Sequence, residues 1–182
     1  MRILLIDNGT TLLEKLKKLI PGEESVIKAE RFQSSQAEQF DVVILSGSSV
    51  YSLNENENNF TEELKFIRES GKSIIGICFG CELIAKTFGG TLGKLENKEK
   101  GEREIEILNP SLSNKQKARV YESHELVITK LPDDFEIQAE SAAGPEIIKH
   151  KTLPIYGLQF HPENFVDQLE GDEVFLKILN SL

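Results

Sequence analysis

The sequence predicts an α/β fold, an open and mostly parallel sheet flanked by helices, with extra antiparallel strands in its second half. Three observations carry this. Short β-branched runs alternate with amphipathic stretches through the first ninety residues, the pattern of a parallel sheet covered on both faces. Beyond them the apolar runs follow one another with little helical spacing between. The chain has 182 residues, of which 39% are hydrophobic, so a single domain over residues 1–182 can bury a sizeable core.

Ile3 to Ile6 reads as a buried strand. Thr10 to Ile20 reads as a helix, because Leu12, Leu13, Leu16 and Leu19 recur at helical spacing. Val42 to Leu45 is a second strand. Phe60 to Glu69 is helical, with Phe60, Leu64 and Ile67 three and four apart. Ile74 to Cys78 is a third strand, and Glu82 to Phe88 a helix that stops at Gly89-Gly90. Between these, the polar run Tyr51 to Asn59 is expected to be a mobile surface loop. In the second half, Arg103–Leu108, Ala118–Tyr121, Leu126–Thr129, Phe135–Ala139, Glu146–His150 and Ile155–Phe160 are the candidate strands. A helix from Asp172 to Leu179 closes the chain.

Composition excludes several functions. The formal net charge of -9 disfavours binding to nucleic acid or to anionic membranes. The apolar run behind Met1-Arg2 is too short for a secretory signal, and no stretch reaches the length of a membrane span. Cys78 and Cys81 are too few for a disulfide framework. A cytoplasmic location, where a free thiol stays reduced, is the expectation.

The most informative segment is Gly76-Ile77-Cys78-Phe79-Gly80, at the junction of a strand and a helix. It is the cysteine counterpart of a nucleophile elbow, whose sharp turn needs glycine two residues either side of the nucleophile. The following helix offers unpaired N–H groups and a positive dipole end, both of which favour a thiolate. Other readings stay open: a buried structural cysteine, a Cys78-x-x-Cys81 redox pair, or a zinc site short of ligands. A base is available in Gln159-Phe160-His161-Pro162-Glu163, where Glu163 can hold the His161 imidazole in its useful tautomer. The competing reading is a surface histidine at a strand end. His150, between Lys149 and Lys151, reads most simply as solvated surface. His124 is balanced between a site residue and a hydrogen-bonded structural one.

With both motifs in this order, the chain resembles the class I glutamine amidotransferases from Ile3 to about Gly171. Leu45-Ser46-Gly47-Ser48 is similar to that family's oxyanion turn, and Leu83-Ile84-Ala85 with Phe88-Gly89-Gly90 to the helix after the elbow. The resemblance implies a flavodoxin-like sheet and glutamine hydrolysis by Cys78, His161 and Glu163. It also implies substrate contacts from Gly47, Ser48, Phe79, Glu82, Ser123 and His124, and neither metal nor organic cofactor. Glu122-Ser123-His124, Leu131 to Phe135 and Pro154 to Glu163 resemble most the short, free-standing amidotransferase subunits of GMP synthetases. That branch implies that the ammonia acceptor is a separate synthetase (ATP pyrophosphatase) subunit.

Four positions depart from the family pattern. Glu82 stands where glutamine is usual, as in γ-glutamyl hydrolases, so a γ-glutamyl compound is an alternative substrate. Cys81 replaces histidine or methionine. Ser48 replaces glycine, which matters only if the backbone takes a positive φ there. Leu126 replaces an acidic residue, which weakens the expected contact with a synthetase. A non-catalytic regulatory paralogue is the remaining alternative.

Overall fold

The computed structural model describes residues 1–53, 57–165 and 169–182. The strands are β1 (Arg2–Asp7), β2 (Glu23–Lys28), β3 (Val42–Leu45), β4 (Ser73–Ile77), β5 (Thr91–Ile107), β6 (Lys117–Lys130), β7 (Phe135–Ser141), β8 (Gly144–His150) and β9 (Ile155–Leu158). The helices are α1 (Leu13–Leu19), α2 (Thr61–Glu69), α3 (Phe79–Thr87) and α4 (Gly171–Leu179). Among the described residues, all nine strands join one sheet in the order β2-β1-β3-β4-β9-β8-β7-β5-β6. The first five in that order run parallel, and the rest are antiparallel to their neighbours. The expected parallel sheet with antiparallel additions is therefore what forms.

β3 and β4 are buried over almost their whole length, as strands covered on both faces must be. One apolar cluster packs Leu5, Ile44, Ile75 and Leu158 against Leu16 and the Val174–Leu179 face of α4. The other packs Leu4, Val43, Leu45 and Ile74 against Phe66, Ile67 and Leu83. Each fully buried aliphatic or aromatic side chain contributes about 1.5–3 kcal/mol, so the sheet is held from both sides.

Differences from the sequence reading have local causes. β2 carries Glu23, Glu24 and Lys28 on an exposed sheet edge, where no apolar alternation is needed. β5 begins twelve residues before the expected Arg103, because its polar first half pairs only with β6 in a largely exposed hairpin. β6 is one strand rather than two, and the polar segment between its apolar runs lies within the ladder. α1 is shorter than Thr10–Ile20, with Leu16 as its buried residue. Within the expected loop, residues 54–56 lie outside the described ones. At its ends Leu53 is buried, Tyr51 packs edge-on against Phe60, and Glu57–Phe60 form a 3-10 turn. His150 is not solvated surface. It is buried against Phe88 and Phe135, and its Nδ1 accepts from the Thr152 and Leu153 N–H groups.

The chain is tightest where β4 enters α3. A Cβ on Gly76 lies 2.4 Å from the Gly80 carbonyl, and one on Gly80 lies 2.5 Å from the Leu45 oxygen. Both obstacles are backbone, which cannot rotate away. Gly76→Ala is expected to destabilise the protein by about 1–3 kcal/mol or more, read as a lower urea midpoint. An unchanged midpoint would show that the elbow has room to shift.

Candidate active site

Cys78, Gly47, Asn8 and His161 all follow the carboxyl ends of parallel strands, β4, β3, β1 and β9. Open α/β sheets bind ligands at that edge, because the loops leaving it diverge where the strand order reverses. Cys78 has φ 49° and ψ -104° and caps α3. No other non-glycine residue among the described ones has a positive φ. The strain is of order 1–3 kcal/mol, and it turns the thiol out of the strand direction. The Cys78 N–H donates to the Leu158 carbonyl at 2.7 Å, and the Glu82 N–H donates to the Cys78 carbonyl at 3.0 Å.

The β4–β9 register pairs Gly76 with Gly157 and Ile77 with Leu158, so the residues after both strands emerge side by side. The His161 N–H donates to the Tyr121 carbonyl at 2.8 Å, which ties the segment to β6. Nδ1 of His161 lies 2.9 Å from Oε1 of Glu163, whose side chain is 0% exposed. Nδ1 must carry the proton donated to that carboxylate, leaving Nε2 as the accepting nitrogen. The ring also lies beside the Cys78 side chain and interacts with it electrostatically.

Burial pushes the Cys78 thiol up, against the opposing pull of His161. Burial also disfavours the charged His161 ring, but the Cys78 sulfur and Glu163 outweigh it and hold the imidazole well above its ordinary range. The two groups titrate as a pair, and the thiol loses its proton most readily when the imidazole takes it. Cys81 differs. It is buried, its sulfur packs against Gly157, and burial holds its thiol far above the ordinary value. Cys78 and Cys81 also belong to opposite apolar clusters, an arrangement that disfavours a redox pair.

A cleft of about 250 Å³ opens over Cys78, lined also by Ser48, Phe79, Glu82, Ser123 and His124. A second, of about 260 Å³, shares Ser48, Lys98 and Ser123 and reaches His161. The candidate residues thus surround one region. Gly47 backs onto it: a Cβ there would sit 3.1 Å from His161 Cε1. Ser48 needs no positive φ, and its hydroxyl accepts from the Val50 and Tyr51 N–H groups. The Phe79 ring packs edge-on against Phe60, and its backbone N–H lies in the first turn of α3, where N–H groups have no partner within the helix.

Glu82 and His124 line the cleft and are as buried as Cys78. Burial pushes the Glu82 carboxyl up to about 7, against the opposing pull of the His124 and Gln159 side chains. Burial lowers His124, whose Nδ1 donates to the Leu126 carbonyl at 2.9 Å. Its Nε2 is 3.0 Å from Oε2 of Glu122 without hydrogen-bond alignment. Burial raises Glu122 to about 7 and Glu146 to about 8, and the Ser141 hydroxyl donates to Glu146 at 2.6 Å. Leu126, where the family pattern has an acidic side chain, is buried and lines the cleft.

Sequence reasoning does not single out Asn8, Lys98, Glu122, Glu146 or Gln159 as site residues. Asn8 has a usable signal, a polar residue directly after a buried strand. Lys98 has none, because a register shift of β5 between Lys94 and Glu99 places it. Among the described residues, no group of three or more His, Cys, Asp or Glu is placed to hold a metal ion, and no helix is long and apolar enough to cross a membrane.

The family model for glutamine amidotransferase class-I matches residues 4–180. The chain is 38% identical over 169 residues to a glutamine-hydrolyzing GMP synthase subunit of Pyrococcus furiosus, covering 88% of each chain. A solved structure from Thermoplasma acidophilum, provisionally described as a GMP synthase subunit, superposes with a TM-score of 0.88 at 27% identity. That match covers 99% of this chain and 92% of the other. A glutamine amidotransferase from Thermotoga maritima shares the fold, with a TM-score of 0.75 at 20% identity over 90% of this chain and 76% of its own.

The buried carboxyls make stability depend on pH. Glu82, Glu122 and Glu146 are raised from 4.5 to about 7, 7 and 8, so the folded protein holds protons that the unfolded chain releases. Stability is therefore expected to fall as pH rises from about 4.5 to about 8. Urea midpoints across that range should show the decline, and Glu146→Gln should make it shallower. A flat profile in the wild type would mean that these carboxyls are ionised in the fold.

Proposed function

Since the chain belongs to the class I glutamine amidotransferase family, we propose that it hydrolyses glutamine to glutamate and ammonia with Cys78 as nucleophile, His161 as base and Glu163 as its orienting group. The observation that carries this reading is the alignment at the ends of β4 and β9: a strained, helix-capping cysteine beside an imidazole whose other nitrogen is bound to a buried carboxylate. The Pyrococcus furiosus relative, named as glutamine-hydrolyzing, supports glutamine as the substrate.

The Cys78 sulfur gives its proton to His161 and attacks the side-chain carbonyl carbon of glutamine. Charge on the carbonyl oxygen falls to backbone N–H groups at Phe79 and Ser48, each worth about 3 kcal/mol in such sites. As the C–N bond breaks, His161 returns the proton to the nitrogen and ammonia leaves. Water, deprotonated by the same imidazole, then opens the thioester and restores the thiol. Glu163 keeps the ring in the tautomer that can do both. The relatives named as subunits of a GMP synthase support delivery of the ammonia to a separate synthetase subunit. The continuous nine-stranded sheet supports one amidotransferase domain.

Cys78→Ala is expected to abolish ammonia release from glutamine, measured with and without a candidate synthetase subunit; release that survives the substitution refutes the mechanism. Glu163→Gln should lower kcat by about 10²–10⁴-fold with a smaller change in KM, because the base loses its tautomer control rather than the substrate its contacts. Turnover of γ-glutamyl peptides but not of free glutamine by the wild type would move the assignment to a γ-glutamyl hydrolase.

A further inference from the structure

Glu63 lies outside the cleft and the mechanism makes no use of it, yet it is a carboxyl only 1% exposed. It projects from the first turn of α2 toward Asn8, the fully buried residue after β1. Asn8 is laced to the turn after β3. Its N–H donates to Ser46 Oγ at 2.9 Å, its Nδ2 donates to the Ser46 carbonyl at 3.2 Å, and Ser46 Oγ donates to the Gly47 carbonyl at 2.8 Å. That turn backs His161 and carries the Ser48 N–H.

The donors and acceptors here do not balance if Glu63 is ionised. Both of its oxygens and Asn8 Oδ1 are buried and lack a hydrogen-bond partner. A carboxylate beside an amide oxygen sets acceptor against acceptor, whereas one O–H from Glu63 to Asn8 Oδ1 satisfies both residues. We propose that Glu63 is a positioning residue for the oxyanion turn, holding Asn8 by a donated hydrogen bond and, through Ser46, fixing the backbone of Gly47 and Ser48. The proposal rests on the glutaminase reading for its catalytic consequence, though not for the contact itself.

Burial pushes Glu63 up to about 8, and the neighbouring Asn8 side chain offsets only part of that rise. Among the described residues, no charged group on the elements around it adds to these two influences. Above that pH the ionised carboxylate competes with the Ser46 carbonyl for the Asn8 Nδ2 hydrogens, and the brace on the turn loosens. A small displacement of an oxyanion donor is costly, since such donors act only over a narrow range of distance.

The test follows the Gly47 and Ser48 amide resonances of the whole chain by NMR from about pH 6 to about pH 10, alongside glutaminase kinetics. In the wild type both amides should titrate with a midpoint near 8, and in Glu63→Gln, whose amide donates to Asn8 at every pH, that titration should vanish. Glu63→Gln should keep kcat within about twofold at neutral pH and hold it further into the alkaline range. Glu63→Leu should lower kcat about 10- to 100-fold with KM changed less than about threefold. Amides that do not titrate, a titration that persists in Glu63→Gln, or full kcat in Glu63→Leu overturns the proposal. If Glu63→Leu does not fold, the Glu63→Gln comparison decides. Absence of any Cys78-dependent ammonia release defeats the glutaminase reading separately, and the amide titration still tests the brace.

Discussion

The close crossing of β4, α3 and the end of β3 is the constraint on which the rest of the structure depends. Three backbone segments meet at Gly76, Gly80 and Leu45 with no room for a side chain between them. A sharp reversal from strand to helix in so little space forces Cys78 into a conformation that L-residues avoid. The surroundings sustain that strain. Cys78 is hydrogen-bonded to β9 on one side and to the first turn of α3 on the other, and apolar clusters clamp both faces of the sheet. The same crossing sets β4 against β9, and the register of that pair brings the histidine segment beside the thiol.

Around this rigid centre the protein buries carboxyls, and among the described residues no lysine or arginine is buried with them. Glu82, Glu122 and Glu146 are buried, and ionising all three would gather negative charge in a poorly solvated interior. Protons are the available remedy, and the raised affinities of these groups express it. A neutral Glu82 presents to the cleft both a donor and an acceptor, much as glutamine does. Its departure from the family pattern is therefore smaller in chemical terms than the change of residue suggests. Its neutrality also spares the Cys78 thiolate, which an ionised Glu82 disfavours.

Short-range requirements are the readable ones. Gly76 and Gly80 announce a turn that only glycine permits, Leu16 and Ile67 mark helix faces, and β-branched runs mark the buried strands. His161 and Glu163 are two residues apart, so their contact is nearly local. Where the sequence misleads, solvent or distance is responsible. β2 and the outer half of the β5–β6 hairpin are too polar to show a strand period, because water covers them. His150 reads as surface because of its lysine neighbours, while its ring packs edge-on in a cluster with Phe88 and Phe135, which come from other elements. The polar break inside β6 splits it into two candidate strands, since Glu122 and His124 are polar residues buried by the elements packed around them.

For the elbow around Cys78, the order of residues alone was decisive, because the steric demand of a strand–helix reversal is met by residues two positions away. The same holds for the alternating first half, whose pattern implies the parallel sheet. Tertiary structure decided what the remaining residues do. It placed Lys98 by a shift of strand register, made Glu122 and Glu146 neighbours in a dry interior, and set Glu63 beside Asn8. Each of these depends on who lies across the sheet and on whether water can reach, and neither is encoded in the spacing along the chain.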